Sequence, residues 1–135
     1  MTKPNVAFIC VHNSCRSQMA EAISKVFAAN VFNAYSAGTE IKDRINPDAV
    51  EVIKELYQVD MEKTQMPKLL QELPPIDIVV SMGCNVNCTN FPAKSRENWG
   101  LEDPTGKTKA EFVKTAKTIE LKVKDLMERI KAGQL

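Results

Sequence analysis

The sequence predicts an α/β fold, a four-stranded parallel sheet flanked by helices, in a single domain over residues 1–135. Three observations predict it. Short apolar runs alternate along the chain with stretches of helical period. The run Ile76–Met82 is β-branched and carries apolar residues on both faces, as a central parallel strand should. A chain of 135 residues that is 44% apolar and 26% charged is long enough to bury one core without staples.

Each element has its own signal. Asn5–Cys10 reads as a short buried strand, and from Ser17 the period turns helical. Met19, Ile23, Val26 and Phe27 then share one face, with Glu21 and Lys25 off it. Phe32–Gly38 is a second strand ended by glycine. Asn46-Pro47 starts a helix, with Asn as cap and Pro at the first helical position, ahead of Val50, Ile53 and Leu56. Pro67 is expected to open a short helix through Leu73, and Ser95–Trp99 to form a fourth strand. From Lys109 to Lys131 the apolar residues Phe112, Ala116, Ile119, Val123, Leu126 and Ile130 recur at spacings of four and three. With no matching second helix, that pattern predicts docking onto the sheet rather than a coiled coil. No repeat, low-complexity stretch or linker interrupts the series.

Charge and composition exclude several functions. A net charge of +1 does not suit nucleic-acid or membrane binding through bulk charge. No run has the length of a membrane span. The apolar stretch Val6–Val11 is short for a signal-peptide core and lacks a small-residue cleavage site, so a cytosolic protein is expected. Four cysteines in the cytosol do not form a disulfide framework, because cellular thiols keep them reduced. They come as two clusters, Cys10 with Cys15 and Cys84 with Cys88, which suits metal or redox chemistry, or buried inert thiols.

The stretch CVHNSCRS, residues 10–17, joins the first strand to the first helix. Ligands of open α/β sheets bind at the carboxyl ends of the strands, which is where Cys10 falls. A loop there can turn the backbone of Val11, His12, Asn13, Ser14 and Cys15 inward around an anion, and the helix start adds partial positive charge. Arg16 supplies a planar fork that suits a tetrahedral oxyanion. The same surroundings favour a thiolate at Cys10, which becomes a nucleophile at neutral pH, and Ser17 can donate to it. Asn13 tolerates the left-handed backbone that a tight cradle needs. Cys15 is expected to be a packed structural thiol, and His12 a loop-surface residue rather than a base.

Cys10, five residues, Arg16 and Ser17 resemble the phosphate loop of the low-molecular-weight protein tyrosine phosphatases. More narrowly, CVHNSCRSQMAEA resembles the thioredoxin-coupled arsenate reductases built on that fold, although the family usually has Gly at the place of His12. YSAGTE, NPDAVEVIKE and FPAKSRENWGLEDPTGK extend the similarity over nearly the whole chain. The resemblance implies that Asp103, in Asp103-Pro104, protonates a departing oxygen. Thr105-Gly106 follows where the phosphatases commonly carry an aromatic residue, which suits a small inorganic anion over an aryl phosphate.

The reductases also carry a cysteine pair after the central strand, commonly with a longer spacer than the three residues between Cys84 and Cys88. The resemblance therefore implies a relay. Cys10 attacks arsenate, Cys84 attacks Cys10 as arsenite leaves, and Cys88 resolves the disulfide for thioredoxin to reduce. A Cys84–Cys88 bond requires a helical or tight turn, since Cα atoms four residues apart lie about 6 Å apart in a helix and about 13 Å apart when extended. Residues 82–92 are thus expected to form a loop whose conformation depends on redox state. Arsenate is the expected substrate and thioredoxin the partner, with no cofactor and a monomeric enzyme. Some reductases of this family hold a potassium ion, and Asn13, Glu21 and Ser36 match residues implicated there. The stretch Thr64-Gln65-Met66 lacks the acidic residue that would complete the site, so no metal is expected. The alternatives are a tyrosine phosphatase, which the missing aromatic disfavours, and a zinc or redox-sensing module, for which Arg16 has no use.

Overall fold

Val6 to Cys10 are buried without interruption, which requires a strand covered on both faces and flanked on both edges. The structure, a computed structural model, describes residues 3–13, 15–40, 43–83 and 92–135. In it β1 (Asn5–Cys10) lies between β2 (Asn33–Gly38) and β3 (Ile78–Ser81), and β4 (Ser95–Asn98) completes a four-stranded sheet in the order β2-β1-β3-β4. Every pairing is parallel, with Phe8 opposite Ser36 and Val80. The fold class expected from the sequence is the one observed.

Alternation along β1 divides the core. Val6, Phe8 and Cys10 face the larger cluster, under α1 (Arg16–Phe27), α2 (Pro47–Tyr57) and α4 (Lys109–Lys131). Ala7 and Ile9 face the other side, where Ile76 and Val79 join them and Leu70 and Leu73 pack over the group. Phe112, Ala116, Ile119, Val123 and Leu126 of α4 are all buried, so its four-and-three spacing is a docking face. Each large side chain removed from water there contributes roughly 1.5–3 kcal/mol.

Two local expectations need correction, and one short helix is added. Pro67 does not open a helix through Leu73; only Leu70–Glu72 form a single 3-10 turn. Residues before it are drawn out by partners distant in sequence. Gly38 donates to the Lys68 carbonyl at 2.9 Å, Lys68 N–H donates to Asn13 Oδ1, and Leu69 bridges Gly38. A short helix that periodicity does not reveal, α3 (Met61–Thr64), is capped by Asp60. On α1, Glu21 is buried and Val26 is 42% exposed, the reverse of the expected faces. Glu21 can be buried because Ser36 donates to it at 2.6 Å and Lys25 at 2.5 Å.

Two features place the segment after β4. Arg129 of α4 grips Glu97 through two hydrogen bonds of 2.9 Å, and Trp99 Nε1 donates to the same carboxylate at 2.7 Å. Burial pushes the Glu97 carboxyl up, but Arg129 and Trp99 outweigh it and hold the group below its ordinary range. Trp99 is thereby seated against Phe8, and residues 100–103 leave the sheet beside Cys10.

Candidate active site

Cys10 ends β1 and is 4% exposed, and the chain turns immediately into the loop before α1. The turn is held from β2: Glu40 N–H donates to the Val11 carbonyl at 2.8 Å. Gly38 makes this approach possible, since a Cβ there would sit 2.6 Å from Val11 O and 2.9 Å from Asn13 N. Asn13 takes a φ of 52°, a left-handed conformation that Asn tolerates better than most residues.

Buried amides then fix one proton. Lys68 N–H can only donate, so the Asn13 atom it meets at 3.0 Å is Oδ1. Gln18 Nε2 donates to that oxygen as well, at 3.0 Å, while Gln65 Nε2 donates to Gln18 Oε1 at 2.7 Å. Asn13 Nδ2 must then face Ser17 Oγ, 2.8 Å away, and donate to it. Ser17 accepts there, and its own proton is free for Cys10 Sγ, 2.9 Å away, which can only accept once it is a thiolate. The geometry suits a hydroxyl that stabilises negative charge on sulfur.

Arg16 is positioned by two carbonyls. Its Nη1 donates to Met82 O at 2.5 Å, at the end of β3, and to Leu101 O at 2.7 Å, after β4. Among the described residues its buried Nε has no partner, which is costly unless an acceptor arrives, and Nη2 lies 4.0 Å from Asp103 Oδ2. One edge of the guanidinium is thus anchored, and the other keeps spare donors that suit a bidentate oxyanion. Gly83, at φ 103°, lets the strand end pass close by: a Cβ there would lie 2.9 Å from Leu101 O and 3.1 Å from Arg16 Nη1.

Cys10, Arg16, Asp103 and Thr105 face one cleft of about 460 Å³, with Val11, His12 and Cys15 as its remaining walls. No side chain of Cys15 caps α1 and no acid occupies its first turn, which keeps the positive end of the helix for an anion. Burial, with the charges of Asp103 and Cys10 behind it, pushes the Cys15 thiol up to about 12, so it stays protonated at neutral pH. Burial also pushes the Asp103 carboxyl up, but two hydrogen bonds from Thr105 and the nearby Arg16 hold it below the usual carboxylate range. His12 is half exposed, 3.9 Å from Glu40.

Ser14, Cys84 and Cys88 lie outside the described residues, as does all of the expected redox-dependent loop except Met82, Gly83 and Pro92. Sequence reasoning missed Gln18, Gln65, Thr105 and the carbonyls of Met82 and Leu101. An Asp-Pro-Thr turn is a readable signal for a hydroxyl bonded to the carboxylate; backbone carbonyls carry no side-chain signature. At the residues matched to a potassium site, Glu21 accepts from Ser36 and Lys25, and Asn13 Oδ1 accepts from Lys68 and Gln18. Gln65 donates through Nε2, while its buried Oε1 has no hydrogen-bond partner among the described residues.

A parallel sheet that offers a thiol at a strand end, a guanidinium at the next helix start and a carboxylate across the cleft defines a phosphate-loop thiol protein. The profile of the low molecular weight phosphotyrosine protein phosphatases matches residues 5–135, and the chain belongs to that family. It is 35% identical to an arsenate reductase of Staphylococcus aureus, over 96% of this chain and 100% of that protein. A solved arsenate reductase in its phosphate-binding state superposes with a TM-score of 0.83 at 31% identity, covering 96% of this chain and 99% of that one. A thioredoxin-dependent arsenate reductase of Corynebacterium glutamicum gives 0.76 at 29% identity, over 97% of this chain and 63% of that one.

Proposed function

We propose that this protein reduces arsenate to arsenite through a relay of Cys10, Cys84 and Cys88, recycled by thioredoxin, as a cytosolic monomer that detoxifies arsenic. The observation that carries the reading is the cleft joining Cys10, Arg16 and Asp103, in a chain similar along its length to arsenate reductases. Arg16 Nε and Nη2 and the start of α1 hold the oxyanion, with Ser17 donating to the Cys10 sulfur. Cys10 attacks arsenic, an S–As bond forms, and an As–O bond breaks as water departs. Asp103, ionised in the empty cleft, takes a proton from the entering anion and returns it to the leaving oxygen.

Cys84 then attacks Cys10 Sγ. The S–As electron pair goes to arsenic, arsenic(V) becomes arsenic(III), arsenite leaves, and a Cys10–Cys84 disulfide forms. Cys88 attacks Cys84 and frees Cys10, leaving a Cys84–Cys88 disulfide for the thioredoxin dithiol. Thr105, in place of an aromatic wall, disfavours an aryl phosphate.

Cys88→Ser separates chemistry from recycling. The variant should release one arsenite per protein, stop, and hold a Cys10–Cys84 disulfide found by peptide mapping. Multiple turnovers driven by thioredoxin, thioredoxin reductase and NADPH would refute the relay. Faster hydrolysis of an aryl phosphate than arsenite formation by the unaltered protein would favour the phosphatase reading.

A further inference from the structure

A carboxylate that serves as an acid has two oxygens, and the mechanism needs its proton on the one facing the reacting anion. Around Asp103 the two are not equivalent. Oδ1 accepts the Thr105 backbone N–H at 3.0 Å and the Thr105 hydroxyl at 2.7 Å. Oδ2 faces Arg16 Nη2 at 4.0 Å. The Thr105 hydroxyl, itself on the cleft wall, also meets Asn46 Nδ2 at 3.5 Å and the protonated Cys15 thiol, but the ionised Asp103 carboxylate can only accept, so the hydroxyl proton goes to Oδ1.

We infer that Thr105 is the positioning residue for Asp103: it occupies Oδ1 with two donors and leaves Oδ2 to carry the proton to and from the oxyanion. Protonating Oδ1 would set a third donor against two already there, whereas protonating Oδ2 breaks neither bond. The inference rests on the reading of Asp103 as the acid of the first step.

Thr105 also stabilises the ionised form, because both its bonds are made to the carboxylate. The other groups facing Asp103 are Arg16 from the start of α1, His12 from the loop, and the Cys15 thiol. Arg16 and His12 act in the same direction as Thr105, and burial acts against all three. A residue that merely shaped the turn would leave the titration of Asp103 alone when its hydroxyl was removed.

Thr105→Val keeps the shape and the backbone donor but removes the hydroxyl; Thr105→Ser keeps the hydroxyl, and Thr105→Ala serves if Val is not accommodated. The midpoint of Asp103, followed by carbon-13 NMR of its side-chain carboxyl and assigned by its loss in Asp103→Asn, should move to higher pH in Val and Ala and return in Ser. Because Asp103 enters the reaction ionised, the pH at which single-turnover arsenite release falls off on the acid side should move up with it. An Asp103 midpoint unchanged in both Val and Ala, or a Ser variant that behaves like Val, overturns the inference. A midpoint that moves while the rate profile stays fixed upholds Thr105 as the residue that sets Asp103's protonation. It removes Asp103 from the proposed mechanism instead.

Discussion

Two helices follow the carboxyl ends of β1 and β2, and their first turns are built in opposite ways. In α2 the start serves the helix itself. Asn46 Oδ1 accepts Asp48 N–H at 2.8 Å, Pro47 takes the first position, and Asp48 meets the positive end. In α1 the cap position is Cys15, whose side chain makes no capping bond, no acid follows in the first turn, and the first residue is a cation, Arg16. A cation at a helix N-terminus costs stability. The difference separates a helix start that stabilises from one that leaves its positive end open for a ligand.

The contrast breaks first at Cys10. Cys10→Ser should abolish arsenite formation and any aryl phosphate hydrolysis, since nothing else in the cleft can form the first adduct. Either activity retained would mean the open turn of α1 faces no nucleophile. Asp103→Asn should slow the first adduct about 10²- to 10⁴-fold in single-turnover measurements while sulfate binding persists. An unchanged rate at neutral pH would leave the cleft without its acid. Arg16→Lys should weaken sulfate binding about 10- to 100-fold by calorimetry, because a point charge loses the fork while the loop remains. Near-normal affinity would make the backbone of α1 sufficient by itself. Asn46→Ala tests the other helix. It should lose about 0.5–2 kcal/mol in urea unfolding, and more than Arg16→Lys loses. Equal losses would dissolve the distinction between the two turns.

How much of this was legible follows from how far apart the partners are. Asn46-Pro47 and the face of α4 were readable because cap and period are local signals. The Cys10–Arg16 loop was readable because one short segment carries thiol, fork and helix start. The extended path of Pro67–Leu69 was not, since Gly38 and Asn13 impose it from elsewhere in the chain. Burial of Glu21 was hidden for the same reason: its partner Ser36 lies on another element, and an acid on a helix reads as solvated until that partner is known. The bond between Thr105 and Asp103 is as local as a helix cap. Its signal is masked because Thr105 reads first as the absence of an aromatic wall.

The chain has one tryptophan, and its seat gives the protein a built-in optical reporter. Trp99 is 8% exposed, its ring 5.5 Å from that of Phe8, two residues before Cys10 on β1. Its indole N–H is tied to Glu97, and the backbone beyond it runs through Leu101, held by Arg16, to Asp103. Its emission therefore originates between the strand that ends in the thiol and the turn that bears the carboxylate. Changes in that emission on adding an oxyanion would report a shift in the ring's surroundings between these two parts of the cleft, without an attached dye.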